Sequence, residues 1–201
     1  MRKIISLFKR DYEGTRQAYD EIVPGAEWVV AGEGVATSKW DGAACLWRDS
    51  ILYRRYDCKQ GKSPPAGWVP GEDVPDEHTG HWPNWVPGWV PVTPDNPADK
   101  WYAAALAVAP PDVPWTYELI GPHFRGNPYG LRRDFFVQHG RHAPAITDRT
   151  FAGVRAFLEG RPDLEGLVWW RASVYMDCDK VKIKRRDFGL PWPTPEARRA
   201  L

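Results

Sequence analysis

The sequence has almost no excess of charge of either sign. Lys and Arg number 27 against 26 Asp and Glu, a formal net charge of +1. That excludes a global field drawing the chain onto nucleic acid or an anionic membrane. Any polyanion must therefore be held by a local patch. Long apolar runs are missing too, and none approaches the ~20 residues of a membrane-spanning helix. The apolar stretch Ile4-Ile5-Ser6-Leu7-Phe8, set between Arg2-Lys3 and Lys9-Arg10, is too short for a signal peptide. Cysteine is scarce: Cys45, Cys58 and Cys178 are odd in number and widely spaced. No disulfide framework and no CxxC pair can be drawn from them, so a reducing, cytoplasmic setting is expected. A zinc site is not expected either, because His78 and His81 with Cys58 upstream lack a fourth ligand at usable spacing. At 201 residues the chain is long enough for one sizeable core and not comfortably long enough for two. A single domain over 1–201 is the expectation.

Two residue types are abundant. There are 12 Trp and 20 Pro, concentrated in 64–97 around Gly67-Trp68-Val69-Pro70, His81-Trp82-Pro83 and Asn84-Trp85-Val86-Pro87-Gly88-Trp89-Val90-Pro91. The spacing is irregular and too short for a solenoid repeat. Because Pro donates no N–H and is barred from central sheet positions, 59–97 is expected to be an ordered insertion outside the main sheet.

The rest alternates strands with a few helices. Trp28-Val29-Val30, Ala43–Trp47, Ile51–Tyr56, Trp115–Ile120, Asp134–His139, Gly166–Trp170 and Lys180–Arg185 have strand composition. Arg48-Asp49-Ser50 supplies a hairpin turn. Asn96-Pro97 opens a helix through Lys100–Leu106, with Pro in the first turn. A second helix over 148–159 puts Phe151, Val154, Phe157 and Leu158 on one face, with Asp148 capping its start and Gly160 its end. The class is α+β with a mainly antiparallel sheet.

Chemistry enters at Lys39-Trp40-Asp41-Gly42. Alone, a Lys-x-Asp-Gly tetrapeptide reads as a hairpin turn beside a solvated lysine. Further charged residues then recur at strands or strand edges: Arg55, Glu118 in Glu-Leu-Ile-Gly, Glu165 in Glu-Gly-Leu-Val-Trp, and Lys182 and Lys184 in Val-Lys-Ile-Lys. Residues two apart in a strand share a face, so Val181 and Ile183 face the core and both lysines face the other side. That pattern fits an ordinary solvated strand face and equally two cations gripping a phosphate.

Taken together and in this order, Lys39–Gly42, Arg55, Glu118, Glu165-Gly166 and Lys182-Ile183-Lys184 resemble the motif series of the covalent nucleotidyltransferases, the DNA ligases, RNA ligases and mRNA capping enzymes. Glu118–Gly121 with Gly126-Asn127-Pro128-Tyr129-Gly130-Leu131, then His139-Gly140, Glu165–Trp169 and Gly189-Leu190-Pro191-Trp192-Pro193, is similar to the ATP-dependent 5′–3′ RNA ligase family known from vertebrates. Asn84–Pro87 resembles a segment of that family as well. The likeness spans roughly residues 35–195, with one departure: the position of Lys184 varies in this branch.

The resemblance implies a nucleotidyltransferase (adenylation) domain of the ATP-grasp-like ligase type without an OB domain, few residues being left after Lys184. It implies ATP and Mg²⁺ as cofactors, with AMP carried on Lys39. Asp41 is then expected to orient Lys39 or the ribose, Arg55 to reach the ribose edge or an RNA 5′-phosphate, and Glu118 the ribose hydroxyls. Glu165 is expected on the metal, and Lys182 and Lys184 on the phosphates. Phe136 is a candidate for stacking on adenine and equally a core residue. Arg132-Arg133 and Arg185-Arg186 are basic pairs that suit RNA phosphates or solvent alike. The expected partners are RNA ends, nicked or pre-paired, with no membrane and a monomeric protein.

Overall fold

The computed structural model describes residues 4–59, 61–71, 85–172 and 178–199. His78, His81, Trp82-Pro83 and Asn84 lie outside them. In chain order the elements are β1 (Ile5–Ser6), β2 (Phe8–Arg10), β3 (Ala18–Ile22), α1 (Glu27–Val30), β4 (Val35–Lys39), β5 (Ala43–Arg48), β6 (Ile51–Lys59), β7 (Val69–Pro70) and β8 (Trp85–Pro91). They continue with α2 (Lys100–Val108), β9 (Trp115–Ile120), β10 (Phe135–Gln138), α3 (Phe151–Glu159), β11 (Gly166–Trp170) and β12 (Lys180–Lys184). The expected α+β class holds, and nearly all strand pairs are antiparallel, the β1–β12 pair being parallel.

Two sheets matter for the site. A four-stranded sheet runs β1-β12-β11-β4 and a six-stranded sheet runs β10-β9-β5-β6-β8-β7. Strand alternation gives the four-stranded sheet two unlike faces. Leu167, Trp169, Val181 and Ile183, all at most 1% exposed, pack with Val154 and Leu158 of α3 and with Trp28 and Val29 of α1. Truncating a side chain such as Leu167 to Ala costs roughly 2–5 kcal/mol. The opposite face carries Thr37, Lys39, Val168, Trp170, Lys182 and Lys184, in a register that sets Gly166 between Lys39 and Lys184 and Val168 between Thr37 and Lys182. In the six-stranded sheet, Cys45, Leu52, Tyr117 and Leu119 cover α2 through Ala105. The alternate residues Ala44, Thr116 and Glu118 face the other way.

Several local features follow the sequence directly. The β5–β6 hairpin pairs Arg48 with Ile51 across Asp49 and Ser50, whose φ of 53° and 59° are those of a two-residue turn that matches strand twist. Asn96 Oδ1 caps the Ala98 N–H at 3.0 Å at the turn leading into α2.

Four expectations are corrected. Trp28-Val29-Val30 lies in the short helix α1 and not in a strand: the Ala26 N–H bonds to Val23 O and starts a tight turn, and helical spacing buries Trp28 and Val29 together. The Pro/Trp-rich segment does not lie outside the main sheet, because β8 sits between β6 and β7. Pro87 and Pro91 are tolerated there by parity. The even residue Val92 donates its N–H to Leu52 O beside β6, whereas the Pro87 carbonyl accepts from Gly71 N on the other side, at the two-residue strand β7. The missing proline donors therefore face a partner too short to need both. Thr150, not Asp148, caps α3, accepting from Gly153 N at 3.1 Å, and Asp148 in turn braces Thr150. Finally, β12 ends at Lys184 and Arg185 opens a 3₁₀ turn through Phe188, because the Asp187 carboxylate accepts the Lys184 N–H at 2.9 Å.

Candidate active site

Lys39 is the last residue of β4, and the turn Trp40-Asp41-Gly42 carries the chain from the four-stranded sheet into β5 of the six-stranded one. Both sheets therefore contribute to a cavity of about 100 Å³ between them. Thr37, Lys39 and Trp170 line one wall, and Ala44, Glu118 and His139 the other. Two glycines permit the close approach. A Cβ on Gly42 would lie 2.3 Å from Leu119 O, and one on Gly166 would lie 2.1 Å from Ile183 O.

The turn is held from four directions. Gly42 N–H donates to Glu118 Oε1 at 2.9 Å and Gly42 O accepts from Arg125 Nε at 3.0 Å. Asp41 N–H donates to the Tyr129 hydroxyl at 2.8 Å, and the Asp41 carboxylate accepts from Trp192 Nε1 at 2.9 Å. Tyr129 and Trp192 also meet edge to face at 5.7 Å and are both buried. Burial pushes the Tyr129 phenol strongly upward, so it stays a neutral hydrogen-bonding group. The fixed turn aims Lys39 at Glu165. Lys39 Nζ lies 2.6 Å from Glu165 Oε2, and Lys184 Nζ lies 3.5 Å from Glu165 Oε1. Glu165 is only 5% exposed.

The electrostatics follow from burial and proximity. Burial pushes the Lys39 ammonium down, but the carboxylates of Glu165, Glu118 and Asp41 outweigh it and its pKa is raised. Burial also holds Glu165 above its usual range, against the opposing pull of Lys39 and Lys184. For Lys182 the balance goes the other way: burial first, then the charges of Lys184, Lys39 and Arg10, lower it to about 8, against the opposing pull of Asp187. Below it the polar groups are satisfied, Thr37 Oγ1 donating to Val168 O at 3.0 Å and accepting from Trp170 Nε1 at 2.9 Å.

The structure thus brings Lys39, Asp41, Glu118, Glu165, Lys182 and Lys184 to one cleft. Arg55 shares the Glu118-bearing face by strand alternation, but its guanidinium bonds Asp57 at 2.7 Å and lies over Trp89 rather than joining the Lys39 cluster. Phe136 is on the opposite face from Glu118, since Val137 is the residue paired with Glu118, and it packs with the core under α2. On the cleft side of β10 stand Phe135 and Val137. Arg185 is buried at 3% exposure, and its guanidinium is spent on the carbonyls of Leu158, Pro191 and Arg161. It therefore belongs to the framework and is not available to RNA. Sequence spacing alone gives His139 no role. In the fold it bridges Thr116 Oγ1 at 3.1 Å and Glu118 Oε2 at 3.0 Å, fixing the carboxylate. Its position beside a strand residue two places from Glu118 becomes visible only with the β9–β10 pairing. The tie from Trp192 to Asp41 is equally hidden, because it spans 151 positions of sequence.

Among the described residues no group of three or more His, Cys, Asp or Glu forms a ready-made metal cage. The donor set suits a hard cation shared with phosphate oxygens, since Mg²⁺ is commonly held by one or two carboxylates plus substrate. No described helix is long and apolar enough to cross a membrane.

No family model matches the chain. It is similar to RNA ligase 1 of Rattus norvegicus, at 30% identity over 180 residues, covering 67% of this chain and 51% of the relative. RNA ligase 1 of Pongo abelii is 31% identical over 180 residues with the same coverage, and that of Danio rerio is 31% identical over 163 residues, covering 63% of this chain and 46% of the relative. The chain spans about half the length of the curated relatives it matches. With the motif order along the sequence, these matches make the chain a distant relative of the RNA ligase 1 proteins.

Proposed function

We propose that this chain is an ATP-dependent RNA ligase that joins 5′-phosphate and 3′-hydroxyl ends through an AMP carried on Lys39. The observation that carries the reading is the contact of Lys39 with Glu165 in a cleft whose cationic wall holds Lys182 and Lys184, in a relative of RNA ligase 1.

In the first step Lys39 Nζ attacks the α-phosphorus of ATP. A nitrogen–phosphorus bond forms, the bond to pyrophosphate breaks, and the lysine gives up its proton. A protonated lysine cannot attack, and the carboxylates around Lys39 favour the charged form. The charges of Lys182 and Lys184, and of a cation held by Glu165, would oppose those carboxylates and favour the neutral amine that attacks. Glu165 would hold a magnesium ion, which would supply neutralisation of phosphate charge. Glu118, fixed by His139 and Gly42 N–H, presents its carboxylate to the ribose hydroxyls, and Asp41 sets the direction of the Lys39 backbone. In the second step an RNA 5′-phosphate oxygen takes the AMP and the bond to Lys39 breaks. In the third a 3′-hydroxyl attacks that 5′-phosphorus, forming the phosphodiester and releasing AMP. All three are phosphoryl-type transfers in which positioning and charge dominate.

The test is label transfer from α-labelled ATP or GTP at equal concentration, read on a denaturing gel. The expected result is a labelled protein band from ATP and a weaker or absent one from GTP. Equal or greater transfer from GTP argues for a capping-type nucleotidyltransferase, and no band from either nucleotide argues for a non-catalytic nucleic-acid-binding module.

A further inference from the structure

Beside the Lys39 pocket lies a much larger groove of about 860 Å³ that shares Trp40 with it as a common wall. Its floor is apolar, formed by Leu131, Phe135 and Val137, all partly exposed. Its rim is basic, with Arg132, Arg133 and Arg141 all exposed. Among the described residues none of these three arginines is ion-paired with a carboxylate, while most other acidic side chains near the cleft are already engaged: Glu118 by His139, Asp134 by His123, Glu165 by Lys39. Arg133 lies over the Phe135 ring at 4.5 Å, and the Arg141 Nε donates to Gln138 at 2.9 Å. The loop that carries the rim is rigid at its root, because Asn127 bonds Leu131 in both directions at 2.9 Å and Tyr129 is the anchor of the Lys39 turn.

An apolar floor with an aromatic ring, edged by arginines that no described carboxylate pairs with, suits a chain of alternating flat bases and phosphates. Bases stack on aromatic surfaces with little regard to sequence, and arginines take the phosphates. In a chain of net charge +1, this local patch is where a polyanion finds its counter-charge. We propose that this groove binds a single-stranded RNA segment, the nucleotides next to the end that is joined at Lys39, with Trp40 as the divider between the RNA groove and the nucleotide pocket. The proposal rests on the ligase reading for the identity of the strand. The groove's affinity for RNA does not depend on it.

The experiment measures binding of a fluorescein-labelled, 5′-phosphorylated single-stranded RNA by anisotropy across a salt series, alongside self-adenylation with α-labelled ATP. The variants are the double substitution Arg132→Glu with Arg133→Glu, the single substitution Arg141→Glu, and Arg155→Glu on α3 as a charge control away from the groove. The double variant is expected to weaken RNA binding by about tenfold or more and to flatten the salt slope by about 0.7 for each phosphate that the protein no longer neutralises. Self-adenylation should keep its rate and its dependence on ATP concentration, and Arg155→Glu should behave as the parent. RNA binding by the groove variants equal to that of the parent at every salt concentration overturns the proposal. So does a raised ATP requirement for self-adenylation with unchanged RNA binding, which would give the groove to the nucleotide. A parent that binds RNA through this groove but never takes up AMP leaves the groove standing and removes the ligase reading.

Discussion

The two walls of the cleft are built from the same kind of strand and do opposite things. The wall from β4, β11 and β12 carries cations: Lys39, Lys182 and Lys184 on one face, gathered around the buried Glu165. The wall from β5, β9 and β10 carries a carboxylate whose oxygens are already bonded, Glu118 to Gly42 N–H and His139. The first wall is electrostatically tense, with one lysine lowered to about 8 and the carboxylate pushed up by burial. The second is satisfied. The difference teaches how the proposed function divides the work: the wall whose buried charges are shifted by one another is the one expected to react, and the wall whose carboxylate is tied to backbone and histidine is the one expected to hold geometry.

The comparison breaks first at Lys39. Lys39→Ala should remove self-adenylation altogether while the far-ultraviolet circular dichroism stays that of the parent, because the side chain meets the cleft and not the core. A folded Lys39→Ala protein that still carries AMP would end the division of labour described above. Lys182→Ala comes next, since a missing cation at a transferring phosphate costs on the order of 10²–10³ in rate. Both self-adenylation and sealing should fall together.

Lys182 also gives a pH signature. Its folded pKa of about 8 lies below the usual lysine value of 10.5, so its charge disappears as pH rises through about 8. ATP affinity, measured by equilibrium binding, should weaken over that rise. Lys182→Arg, which stays charged, should remove the weakening. For stability the sign is the reverse. The fold disfavours the charged form, so Lys182 costs stability below pH 8, and that cost is relieved as pH climbs from about 8 to 10.5. Melting curves in which Lys182→Met lacks this gain would sharpen the point, and identical pH profiles for parent and variant would contradict it.

A smaller effect distinguishes framework from binding. Arg185→Ala should lower the melting temperature, by about 2–5 kcal/mol of stability for the missing bonds to buried carbonyls, with no change in the salt slope of RNA binding. Smallest is Trp192→Phe. It keeps the ring against Tyr129 but drops the donor to Asp41, at a cost of about 1 kcal/mol. On the positioning role its trace should be a slower self-adenylation at saturating ATP with little change in the ATP concentration needed. A change confined to melting temperature would make Trp192 purely structural.

Much of this was legible in the sequence because it is periodic or local. The Val181/Lys182/Ile183/Lys184 alternation specified which side chains face the core, Arg48-Asp49-Ser50 specified a hairpin turn that the structure narrows to Asp49 and Ser50, and Asn96-Pro97 specified a helix start. The rest depended on what lies across from a residue. Trp28-Val29-Val30 has strand composition, but the turn at Val23–Ala26 decides for a helix. The prolines of β8 argue against a sheet until one knows that their donorless side meets the two-residue β7. Phe136 suits adenine stacking and core packing equally until the register places Val137 beside Glu118 and turns Phe136 to the other face. His139 and Trp192 act through partners that sequence spacing does not reveal.

The most direct test of the central claim is the location of the adduct. The protein is incubated with ATP and Mg²⁺, digested, and its peptides are read by mass spectrometry. A single AMP is expected on the peptide containing Lys39, through an acid-labile nitrogen–phosphorus bond, that disappears when 5′-phosphorylated RNA is added. AMP on a different residue, or a protein that stays unmodified at saturating ATP, would contradict it.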